Sequence, residues 1–97
     1  MGFESEFNWF IVDKREPKEL VDLEVGGNYS FDKKGYRQYP INIPLFLLDR
    51  DWNVLGFAKV TYSKLGNNVT VVNYQVTKLF TSDERSFLTR IIKESRN

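Results

Sequence analysis

The stretch VLGFAKVTYSKLGNNVTVVNYQVTKLF, residues 54–80, decides how this chain folds. Two runs rich in β-branched and aromatic residues flank Gly66-Asn67-Asn68, the composition of a tight hairpin turn. Centring the loop on Gly66 sets Val60 opposite Val72, Ala58 opposite Tyr74 and Gly56 opposite Val76. Small residues then face large ones, as a packed inner surface requires. Lys59, Thr61, Asn73 and Gln75 take the other, wetter face. A straight strand of about twelve residues spans ~40 Å, more than a domain of this size is wide. The sheet is therefore expected to coil, as in a small barrel.

Upstream of the hairpin, Tyr39, Ile41, Ile43, Leu45 and Leu47 share one parity, which predicts a strand over residues 36–48 with one continuous core face. Pro40 and Pro44 fall on the opposite parity. Both lack a donor on the same side of the strand, so that side is expected to be a sheet edge. DRDWN, residues 49–53, is a turn. Asp49, Asp51 and Asn53 mimic the first ligands of a calcium loop, but Val54 and Val60 stand where that loop needs glycine and a bidentate acid.

Further out, FESEFNWFIV (residues 3–12) places Phe3, Phe7, Trp9 and Ile11 on one face. Phe10 and Val12 make the far end apolar on both faces, as for a strand covered on each side. Pro17 opens a short helical turn, Asn28–Phe31 is a strand and Asp32–Gly35 a turn. At the other end, Thr81 and Glu84 have capping-box spacing. Phe87, Leu88, Ile91 and Ile92 form an apolar helical stripe, expected to dock on the sheet. The expected fold is mainly β (α+β): a small coiled antiparallel sheet or partly open barrel with a C-terminal α-helix, residues 1–97 forming a single domain.

Composition narrows the chemistry. The 97 residues contain no cysteine and no histidine. Ser-His and Cys-His nucleophile pairs and imidazole–thiolate zinc sites are thereby excluded. No enzymatic activity and no cofactor are expected. No apolar run reaches the ~20 residues of a membrane-spanning helix, and a cytoplasmic location is the default expectation. Charge is uneven: residues 1–32 carry eight acids and three bases, and residues 33–97 carry eleven bases and five acids.

That asymmetry draws attention to KKGYRQYP, residues 33–40. Lys33, Lys34 and Arg37 are candidate phosphate contacts, and Tyr36 is a candidate base-stacking platform for single-stranded RNA. The structural alternative makes the lysines a solvated turn, seats Tyr39 in the core and sets Arg37 against an acid at the barrel mouth. Protein is the other candidate partner, through the sheet edge at residues 40–44 or through Trp52 at a turn tip. The oligomeric state is left open.

Glu6-Phe7-Asn8 and the segment Lys33-Lys34-Gly35-Tyr36-Arg37-Gln38-Tyr39-Pro40 resemble a small uncharacterised bacterial family with an EFN start and a K-x-G-Y-R-x-Y-P segment. The resemblance spans residues 4–80 and leaves the C-terminal helix as an addition. It implies no catalytic role. The layout of glycine turn, strand, hairpin and final helix is also similar to PUA- and ASCH-like RNA-associated barrels, a likeness of fold that does not by itself fix function.

Overall fold

The computed structural model describes residues 6–7 and 10–96. Phe3 and Trp9, assigned above to the first strand's inner face, lie outside the described residues. The elements are β1 (Glu6–Phe7), β2 (Phe10–Asp13), a 3-10 turn (Pro17–Leu20), β3 (Asn28–Lys34), β4 (Arg37–Gln38), β5 (Pro44–Asp49), β6 (Val54–Gly66), β7 (Val69–Leu79) and α1 (Ser82–Arg96). Five strands form one sheet in the order β2-β5-β6-β7-β3, and β1 pairs with β4 in a separate two-stranded sheet. The expected mainly β fold with a terminal helix is the observed one. The sheet is mixed, because β2 runs parallel to β5 while the other ladders of the large sheet are antiparallel.

The hairpin turns on Asn67 and Asn68, both with positive φ (49° and 61°), and Gly66 pairs with Val69. Two successive left-handed residues make the tight turn whose twist matches the flanking strands, and asparagine tolerates that conformation. The register therefore departs from a loop centred on Gly66: Val60 faces Tyr74 and Ala58 faces Val76. The ladder skips Thr61 on β6 and Thr77 on β7, so each strand carries one extra residue. These bulges keep Gly56, Ala58, Val60, Val72, Tyr74 and Val76 all buried, as the alternation predicted.

At its 13 residues β6 spans ~43 Å, and the molecule's longest dimension of 46 Å accommodates it. The sheet curls without closing: β2 and β3 are its two edges and share no ladder. Yet the Tyr74 hydroxyl on β7 donates to Asp13 Oδ2 on β2 at 2.6 Å, and the Arg15 guanidinium lies 5.9 Å from the Tyr29 ring on β3. Side chains bridge the gap that backbone pairing leaves.

The expected single strand over residues 36–48 is broken. Asn42 has a φ of 60°, and β5 begins only at Pro44. Tyr39, Leu45 and Leu47 are buried, but Ile41 and Ile43 are 45% and 51% exposed, so the core face is interrupted. Nor is β5 an edge along its length. Pro44 pairs with Lys59 of β6, and from Phe46 onward β2 covers the other side. The prolines stand before the two-sided ladder begins, which is where missing donors cost least.

Two cores form, one on each face of the sheet. Ile11, Phe31, Tyr39, Leu45, Leu47, Val60, Val72, Tyr74 and Val76 pack with Leu20 and Leu23 on the concave side. Val12, Leu48, Val54 and Phe80 pack against Ile92 and Leu88 of α1 on the other, with Phe10, Phe46, Phe57 and Trp52 around them. The two-sided covering of β2 is thus observed, with Ile11 serving one core and Phe10 and Val12 the other. The capping box forms: Thr81 N–H donates to Glu84 Oε1 (2.9 Å), and Glu84 N–H donates to Thr81 Oγ1 (3.3 Å). The helix docks by a narrower stripe than expected. Leu88 and Ile92 face inward, and Phe87 and Ile91 stay exposed.

Candidate nucleic-acid interface

The segment singled out by its charge is a rigid shelf beside the hairpin tip. β3 extends to Lys34, so the turn begins later than the sequence indicated, at Gly35 with a φ of 86°. Gly35 N–H donates to the Asn68 carbonyl (2.7 Å), and Thr70 Oγ1 donates to the Gly35 carbonyl (2.8 Å). Arg37 N–H in turn donates to Thr70 Oγ1 (3.0 Å), and Arg37 Nε donates to the Lys34 carbonyl (3.2 Å). Thr70 is fully buried, so a satisfied hydroxyl locks the turn onto β7. These bonds fix the backbone that carries Lys34 and Arg37.

Lys33, Lys34 and Arg37 line one cleft of about 250 Å3, together with Asp32 and Lys14. Lys14 follows β2 at one edge of the sheet, and Lys33 belongs to β3 at the other. Curling of the sheet brings the two edges to a common depression. Lys33 is half-buried. Burial pushes its ammonium pKa down, and the neighbouring Lys14 charge adds to that. Lys14 was missed in the sequence reading, because it lies in the acidic third of the chain and nothing local ties it to Lys33.

Tyr36 does not join them as an open platform. Its hydroxyl accepts the Asn68 N–H at 3.3 Å, and its ring is half-buried. Tyr39 points inward and is 6% exposed, and burial raises its phenol pKa to about 12. Its hydroxyl has no hydrogen-bond partner among the described residues. Trp52, the candidate protein anchor, is half-buried at a turn with a φ of 65°, its ring edge-on to Phe10 at 5.8 Å. Residues 40–44 cross toward β6, where Asn42 N–H donates to the Val60 carbonyl at 2.8 Å.

A second polar cluster adjoins the cleft. Asp13, fully buried, accepts from Arg15 N–H (3.0 Å), Arg15 Nε (3.0 and 3.1 Å), Arg15 Nη2 (2.7 Å) and the Tyr74 hydroxyl (2.6 Å). Burial, and then the hydrogen bond to Asp13, raise the Tyr74 pKa far above that of free tyrosine. Every acceptor position of this carboxylate is engaged, so the trio ties the sheet together. The Asp49 carboxylate at the calcium-like turn is likewise occupied, by Asp51 N–H, Asn53 N–H and Asn53 Nδ2. Among the described residues no group of three acids positions itself for a metal ion, and no helix is long and apolar enough to cross a membrane.

A family model for a domain of unknown function, DUF2584, matches residues 1–83. The chain belongs to the DUF2584 family. Most of α1 lies beyond the matched segment, in keeping with the resemblance that ended near residue 80. The crystal structure of protein ytmB from Bacillus subtilis is similar to this DUF2584 chain at 26% identity and a TM-score of 0.67, covering 84% of this chain and 98% of that one. A search of curated proteins finds no match.

Proposed function

We propose that this DUF2584 protein is a non-enzymatic binding protein for single-stranded nucleic acid, RNA in the first instance. The observation that carries the reading is the convergence of Lys14, Lys33, Lys34 and Arg37 on one cleft, with Asp32 as the only acid lining it among the described residues. Clustering like charges costs free energy in the unliganded protein, and a phosphate removes that cost. Tyr36, half-buried with its hydroxyl engaged by Asn68, is not an open stacking platform in this reading.

The test is a titration with single-stranded RNA at several salt concentrations. Affinity should fall steeply with salt, and Lys33→Ala with Lys34→Ala should lower the magnitude of the log–log slope by up to ~1.4, from ~0.7 for each contact on a single strand. Lys14→Ala should lower it by up to ~0.7 more. Absence of binding at low salt removes the reading. The remaining candidate would then be a protein-interaction module, whose most exposed large apolar side chain on α1 is Phe87 at 55%.

A further inference from the structure

The cations of the candidate site gather at one cleft. A surface that follows a single strand spreads its cations along the backbone and sets aromatic rings between them. Here the cations surround one depression of about 250 Å3. That is room for a phosphate group. Among the described residues no aromatic side chain lines it, and the nearby Tyr36 is half-buried with its hydroxyl engaged. Asp32 lines the cleft with the lysines. It offers an acceptor to a sugar hydroxyl, and its charge repels a second phosphate.

The charge balance points the same way. An internal phosphodiester brings one negative charge, whereas Lys14, Lys33 and Lys34 bring three positive charges and Asp32 offsets one of them. A phosphomonoester brings close to two at neutral pH, with three strong acceptor oxygens. Lys33 comes from one edge of the sheet and Lys14 from the other, an arrangement that closes around a group presented end-on. Resting on the nucleic-acid reading above, we propose that the cleft takes the terminal phosphomonoester of a single strand, held by Lys14, Lys33 and Lys34.

The experiment compares two RNAs of about eight nucleotides, identical except that one carries a 5′-phosphate and the other a 5′-hydroxyl. Fluorescence anisotropy of a 3′ label reads the affinity. At about pH 7.5 the phosphorylated strand should bind about tenfold tighter, the scale of one extra charge-assisted contact. At about pH 5.5 the gap should shrink, because the phosphate takes up its second proton near pH ~6 while lysine stays charged. It should also shrink in Lys14→Ala and in Lys33→Ala, each checked for a wild-type melting temperature. Equal affinity of the two strands overturns the inference and leaves the nucleic-acid reading standing. Binding of neither strand overturns both. A gap that survives in both variants places the phosphate elsewhere and overturns the inference. Full competition by uridine monophosphate at the affinity of the phosphorylated strand shows a site for free nucleotides, and equally overturns it.

Discussion

Tyr39 and Tyr74 show what one hydroxyl is worth inside this sheet. Tyr74 donates to a buried carboxylate at 2.6 Å, whereas the Tyr39 hydroxyl is buried without a partner among the described residues. Tyr39→Phe should therefore hold or raise stability, by up to ~1 kcal/mol, since it deletes an unmet desolvation cost. Both phenols have raised pKa values in the folded protein, chiefly through burial. Unfolded tyrosines ionise near pH ~10 while the folded ones keep their protons. The folded state then holds more protons, so its stability is intact below pH ~10 and falls as pH rises above that, by up to ~1.4 kcal/mol per unit for each tyrosine. Denaturant melts between neutral and alkaline pH should show this fall, and Tyr39→Phe should make it shallower. The burial of Tyr74 was legible from strand parity. Its bond to Asp13 was not, because the partners stand 61 residues apart and an acid at a strand end reads as solvated.

At the scale of elements, the hairpin and the helix each carry a distinct test. Gly56 lies against the backbone of β7 where Thr77 bulges, and a Cβ there would run into the Lys78 carbonyl. Gly56→Ala should cost on the order of 1–3 kcal/mol, the usual scale of overpacking, seen as a lower melting temperature. For α1, Val54 N–H donates to Thr89 Oγ1 at 2.8 Å, and Ile92 and Leu88 cover Val54, Phe57 and Phe80. Each large apolar side chain fully buried is worth ~1.5–3 kcal/mol. Deleting residues 82–97 should lower the melting temperature and cause aggregation, and a truncated chain that stays soluble with unchanged stability would show a detachable tail. The capping box and the hairpin were readable because their signals are local. The break at Asn42 was not. The apolar parity of Ile41 and Ile43 continues smoothly through it, and only tertiary pairing of residues 41 and 42 with Val60 reveals the turn.

For the molecule as a whole, curvature is the property that makes the candidate site. Strands β2 and β3 end the sheet on opposite sides, yet Lys14 and Lys33 share one cleft and Asp13 and Arg15 reach Tyr74. The expectation of a coiled sheet rested on strand length, yet the 46 Å long axis accommodates β6, so length alone did not require the curl. The meeting of the two edges was not legible, because sequence fixes which residues pair along a ladder but says little about which edges approach without one. Lys33, Lys34 and Arg37 could thus be singled out as neighbours in the chain, while Lys14 could not. The most direct measurement is an amide NMR titration of the full chain with single-stranded RNA at low salt. The account predicts saturable shifts concentrated on Lys14, on residues 32–37 and on the hydrogen-bonded Asn68 and Thr70. Shifts confined to α1 or to the turn around Trp52, or no shifts at all, would contradict it.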